Sequence, residues 1–102
     1  MKVYLSLPVM GRNINEVRRH SDLVKAALSR RGHEVVSPLD VYCGDNPAYE
    51  DSLCYGLRVM MDCDSVCFCD GWEQSCECRI EHDVAMRFKA HGKKDFKIMY
   101  ED

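Results

Sequence analysis

The chain has 102 residues, 46% of them apolar and 30% charged, with 14 basic against 17 acidic side chains and a formal net charge of −3. That length suits one domain over residues 1–102, burying roughly 60–70% of its unfolded surface, and the acidic balance argues against binding a nucleic acid polymer, which wants a basic face. No apolar run reaches the roughly 18 residues of a membrane span, and the apolar stretch at Met1–Leu5 is too short for a secretory leader, so the expectation is a cytoplasmic protein with no membrane contact.

Residues 2–7 read as a buried strand, because Val3, Tyr4 and Leu5 form a β-prone run and Pro8 cannot continue the ladder. Gly11, Arg12 and Asn13 form a loop. Asn13 or Asn15 caps a first helix to about Arg31, with Val17, Leu23, Val24, Ala27 and Leu28 largely on one face and Gly32 as its stop. Residues 34–36 are a second strand closed by Ser37 and Pro38. Residues 39–48 read as loop, on their Gly44, Asp45, Asn46 and Pro47. A second helix starts near residues 49–52 and ends near Met61. Residues 65–69 are a third strand, Asp70, Gly71 and Trp72 a turn, residues 75–90 a third helix, and residues 96–100 the last strand.

Strands alternating with helices imply right-handed crossovers. The expected fold is a small doubly wound α/β domain, Rossmann-like or flavodoxin-like, with a mostly parallel four-stranded sheet and helices on both faces. Ligands of such folds sit beyond the carboxyl ends of the strands, near the switch in strand order. That rule singles out residues 6–13, 37–40 and 70–75.

The densest chemistry lies in residues 70–82. Ser75 fits a helix N-cap, and a helix N-terminus is an anion site. Glu81, six residues on, leans back toward the strand ends, where a carboxylate beside phosphate-binding amides suits a phosphorylated sugar. The competing reading is a capped, solvated helix with Glu81 in surface pairs. Tyr4 suits the pocket floor, touching Glu81 or a sugar, or is simply a core tyrosine. Arg12 can meet a phosphate bidentately, Asp40 a ribose hydroxyl or base edge, and Trp72 can stack on a base. Their alternatives are a solvated loop charge, a turn residue and a packed surface ring. His82 lies about 100° around the helix from Glu81 and reads as a surface histidine.

Seven cysteines is an odd number without a secretory leader, so reduced thiols are expected rather than a disulfide framework. Cys67 and Cys69 share one side of a strand, whereas Cys76 and Cys78 do not share a helix face. Their spacing fits poorly with the roughly two to four residues between paired zinc ligands. Buried structural thiols are the reading, with a reactive Cys76 and a zinc or redox protein as lesser alternatives. No metal and no organic cofactor are expected.

Taken together, Tyr4, Ser6, Pro8 and Gly11, then Cys63-Asp64, the apolar strand 66–69, Gly71-Trp72, Ser75, Glu81 and Ala85 resemble the nucleoside 2-deoxyribosyltransferase-like superfamily, in its small domain-of-unknown-function branch. The resemblance spans almost the whole chain. It implies that Glu81 is the nucleophile at the anomeric carbon of a nucleoside or nucleotide, as in a retaining glycosidase. It implies that Ser75 contacts substrate, pointing to 5′-monophosphates; beside it, Tyr4 is read as a positioning group and Ser6, Pro8, Arg12, Asp40, Gly71 and Trp72 as further substrate contacts. It further implies a homodimer or higher homo-oligomer. The chain departs from the pattern in three places. Counting back eight residues from Asp64, where relatives have an Asp that handles protons, gives Gly56. The first-loop glycine is Leu7, and the small pair after Ser75 is replaced by Cys76-Glu77-Cys78, whose Glu77 adds negative charge near a phosphate. The leading expectation is an N-glycosidase cleaving the base–sugar bond of a nucleoside 5′-monophosphate or related nucleoside. The alternative is a non-catalytic nucleotide-binding or sensing module.

Overall fold

Side chains of a strand point alternately to the two faces of its sheet, and β1 (Lys2–Ser6) puts this to use. Val3 and Leu5 enter one apolar cluster, with Val17, Val24, Leu28, Cys67 and Cys69. Tyr4 enters another, with Met60, Cys63, Val66, Phe68, Ala85 and Phe96. The structure is a computed structural model describing residues 1–41 and 49–101, without the side chains of Asp40, Val41 and Tyr49. The remaining elements are α1 (Ile14–Arg30), β2 (Glu34–Val36), α2 (Pro38–Val41), α3 (Tyr49–Asp62), β3 (Ser65–Phe68), α4 (Cys76–His91) and β4 (Lys97–Tyr100), with a 3₁₀ turn at Trp72–Gln74 before α4.

The four strands form an all-parallel sheet in the order β2-β1-β3-β4. Helix α1 covers one face, and α3 and α4 cover the other, which is the small doubly wound α/β architecture expected. The order reverses at β1, so a crevice opens beyond the carboxyl ends of β1 and β3. Among the described residues no helix is long and apolar enough to cross a membrane.

Two expectations need correction. The buried stripe of α1 is Val17, Ser21, Val24 and Leu28, the spacing of a core-facing helix. Leu23 is 67% exposed, because it is one residue, or about 100°, off that stripe, and Ala27 is also exposed. The stretch read as loop from residue 39 begins inside a helix, Pro38–Val41. Ser37 Oγ accepts the Leu39 N–H at 3.3 Å, so Ser37-Pro38 opens a helix as N-cap and first residue besides closing a strand. Residues 42–48 of that stretch lie outside the described residues. Asn13 caps α1 through the N–H groups of Asn15 and Glu16. Strand and helix ends otherwise fall within a residue or two of expectation, as assignments of termini do.

Candidate active site

Helix α4 starts where β3 delivers the chain to the crevice. Gly71, at φ 90°, makes the sharp entry into the 3₁₀ turn, a backbone region that costs other residues energy. Ser75 then caps α4, its hydroxyl accepting the Cys78 N–H at 3.3 Å. The inward stripe of α4 is Cys78, Glu81 and Ala85, so the helix that packs its apolar stripe on the sheet also presses a carboxylate against it.

Glu81 is only 6% exposed. Its two oxygens are each held by a hydroxyl from β1. Tyr4 Oη donates to Oε2 at 2.7 Å, and Ser6 Oγ donates to Oε1 at 2.7 Å. Residues 4 and 6 share a face of the strand, which is why both reach the same group. Burial pushes the Glu81 carboxyl above the usual carboxylate range. The Ser6 and Tyr4 hydroxyls pull it back, and the charge of Glu77 adds to the rise.

Helix α3 passes so close that a Cβ at Gly56 would lie 3.1 Å from the Tyr4 hydroxyl and 3.4 Å from Glu81 Oε2. Position 56 therefore abuts the buried carboxylate, and it carries no functional group.

The carboxylate forms part of the wall of a cavity of about 350 Å³, lined by Tyr4, Leu7, Val9, Met10, Pro38, Ser52, Leu53, Gly56, Ser75, Glu77 and Glu81. The volume suits a small organic molecule. A second cavity of about 430 Å³ adjoins it across Met10, Ser75 and Glu77, and is otherwise lined by Pro8, Arg12, Asp70, Gly71, Gln74 and Cys76.

A family model described as a domain of unknown function (DUF4406) matches residues 1–93. The chain belongs to this family. No curated protein and no solved structure matches it.

The DUF4406 domain brings most of the expected residues together in two groups. Tyr4 and Glu81 meet at the first cavity, as the strand and helix spacing suggested. Pro8, Arg12 and Gly71 line the second, and Ser75 lines both. Ser6 is fully buried under the carboxylate and lines neither cavity, so it holds Glu81 rather than a ligand. Trp72 also lines neither. Its ring stacks on His82 at 4.4 Å between centroids and packs against Phe68 and Tyr100, on the far side of α4's first turns. That half-buried stack also takes His82 off the open surface, with Nε2 2.8 Å from Tyr100 Oη. The side chain of Asp40 lies outside the described residues. Ser52 and Leu53 are pocket residues that no sequence signal marks, and Glu77, expected only as a charge near a phosphate, lines both cavities. For Glu77 the signal was present, since positions 77 and 81 share a helix face.

Arg12 Nη1 donates to the Pro8 carbonyl at 2.9 Å and lies 3.4 Å from His20 Nδ1. Nε2 of His20 is 2.7 Å from Glu101 Oε1, which also accepts the Asp70 N–H at 2.8 Å. His20, Cys69 and Glu101 place a nitrogen, a sulfur and an oxygen within 4.8 Å of one another. Tetrahedral ligands at about 2.0–2.1 Å from zinc stand roughly 3.3 Å apart. The direct His20–Glu101 bond is shorter than that, and a guanidinium stands beside the imidazole. This group suits a hydrogen-bonded tether between α1 and the end of β4. Cys63, Cys67, Cys69 and Cys78 are buried, whereas Cys54 and Cys76 are exposed. Burial pushes the thiols of Cys63 and Cys78 up from the ordinary value, which keeps them protonated and apolar.

Proposed function

We propose that the domain is an N-glycosidase that cleaves the base–sugar bond of a nucleoside 5′-monophosphate or a closely related nucleoside, with Glu81 as nucleophile. The observation that carries this reading is the Glu81 carboxylate, buried, held by two hydroxyls and facing a cavity at the switch point of the sheet. A carboxylate fixed in this way loses little orientational freedom when it attacks an anomeric carbon. Desolvation raises the energy of its charge, which ester formation removes. The resemblance to the nucleoside 2-deoxyribosyltransferase-like superfamily supports the same role. The first cavity takes the sugar and base. Arg12, Gly71 and the N-terminus of α4 receive the phosphate in the second. The working form is a cytoplasmic homodimer, and a light-scattering mass of one chain refutes that part.

A second reading is a nucleotide-binding module without chemistry, favoured by the bare contact of Gly56 on the carboxylate. One experiment separates the two. Wild type and Glu81→Gln are incubated with ribo- and deoxyribonucleosides and their 5′-monophosphates, and free base is measured by liquid chromatography. The expected result is release by wild type and a loss on the order of 10⁴-fold or more in the variant. Full release by Glu81→Gln refutes the nucleophile. Nucleotide binding without release selects the second reading.

A further inference from the structure

Glycosidic cleavage by a carboxylate nucleophile leaves a base that must gain a proton, and where helix α3 abuts the carboxylate it presents Gly56. Among the described residues lining the first cavity, the titratable side chains are Tyr4, Glu77 and Glu81. The Tyr4 hydroxyl donates to Glu81. Glu77 stands one helical turn before Glu81, and side chains at i and i+4 have Cβ atoms about 5–6 Å apart. Both line the same cavity, and the charge of Glu77 is felt at Glu81. Paired carboxyl groups of retaining glycosidases stand about 5–5.5 Å apart, a separation within reach of this spacing. Ser75 Oγ donates to Glu77 Oε2 at 3.4 Å, orienting the group. Among the described residues no cation pairs with it.

We propose that Glu77 is the second catalytic residue, the acid that protonates the leaving base and then the base that activates water. This inference rests on the reading of Glu81 as nucleophile. In the first step a Glu81 oxygen bonds to the anomeric carbon and the carbon–nitrogen bond breaks. The electron pair goes to the base nitrogen, which takes the Glu77 proton. In the second step water attacks the same carbon and gives its proton to the Glu77 carboxylate. The ester bond breaks and its electron pair returns to Glu81. The sum is nucleotide plus water giving free base plus sugar phosphate. Ester formation removes the charge of Glu81, so the Glu77 carboxylate left by the first step does not stand beside a second negative charge.

The test compares a purine 5′-monophosphate with its N7-methylated counterpart, whose cationic base leaves without taking a proton. Single-turnover base release is measured for wild type, Glu77→Gln, Glu77→Asp and Glu81→Gln of the full chain, each checked for folding by circular dichroism. Glu77→Gln is expected to lose about 10²–10⁴-fold on the ordinary purine and to stay within about tenfold of wild type on the methylated one. Its stalled ester is expected to be released by azide as a glycosyl azide, since azide attacks without a general base. Glu77→Asp is expected to fall between wild type and Glu77→Gln. Equal loss by Glu77→Gln on both substrates overturns the assignment of Glu77 and leaves Glu81 intact. Release by Glu81→Gln on either substrate, or none by wild type on both, overturns the underlying reading and this proposal with it.

Discussion

The two faces of the sheet do opposite things with the same strand. Toward α1, β1 sends Val3 and Leu5 into a cluster made of aliphatic side chains and thiols. Toward α3 and α4, it sends Tyr4 and Ser6, whose hydroxyls meet a buried carboxylate. The first face gains from every methylene it removes from water. The second buries a group that water would solvate better, and offsets part of that cost with two short hydrogen bonds. An apolar cluster on each face lets the second also hold a buried carboxylate.

The largest effect expected from this contrast is on the apolar side. Leu5 is fully buried, and Leu5→Ala is expected to lower unfolding free energy by about 2–5 kcal/mol in urea titrations, equally at acid and neutral pH. A loss that varied strongly with pH would mean the two faces are not independent. Tyr4→Phe is expected to cost less, about 1.5–3 kcal/mol at neutral pH for a hydrogen bond to a charged group. It also removes a group that holds the Glu81 carboxyl down, so that carboxyl is expected to titrate still higher in carbon-13 NMR. An unchanged titration would show that the hydroxyl does not stabilise the charge.

The smallest effect is a pH slope. The Glu81 carboxyl is raised in the folded chain above its ordinary value of 4.5. Above that value the unfolded chain loses its proton first, so this group's contribution falls as pH rises, until the folded carboxyl has ionised too. Glu81→Gln removes the slope. The stability of the variant relative to wild type is expected to grow between about pH 4.5 and the folded titration point, read as the gap between their melting temperatures. A variant melting temperature that falls relative to that of wild type as pH rises would contradict the direction of the shift.

Local chemistry was legible in the chain and long-range pairing was not. Ser75 as a cap and Glu81 leaning toward the strand ends follow from helix geometry over a few residues, and both hold in the fold. The strand alternation that put Tyr4 in the pocket floor also puts Ser6 beside it, yet Ser6 was read as a substrate contact. The period-two rule names a shared face and not what lies across it. Ser37-Pro38 carries two meanings, strand end and helix start, and a single dipeptide does not choose between them. Trp72 illustrates tertiary competition. Its ring packs on His82, Phe68 and Tyr100 instead of entering the cavity. The His20–Glu101 bond joins residues 81 positions apart, beyond any spacing rule.

The two hydroxyls that hold Glu81 precede it by 77 and 75 residues. In time, this means the centre cannot be assembled before α4 has been made. A nascent chain that has emerged only to Asp70 already contains Tyr4 and Ser6, but the group they hold has yet to be made. β1 must also wait for β3 before its inner edge is paired. Parallel pairing over such separations is slow compared with hairpin formation. Docking of α4 is therefore the step at which the carboxylate loses its water.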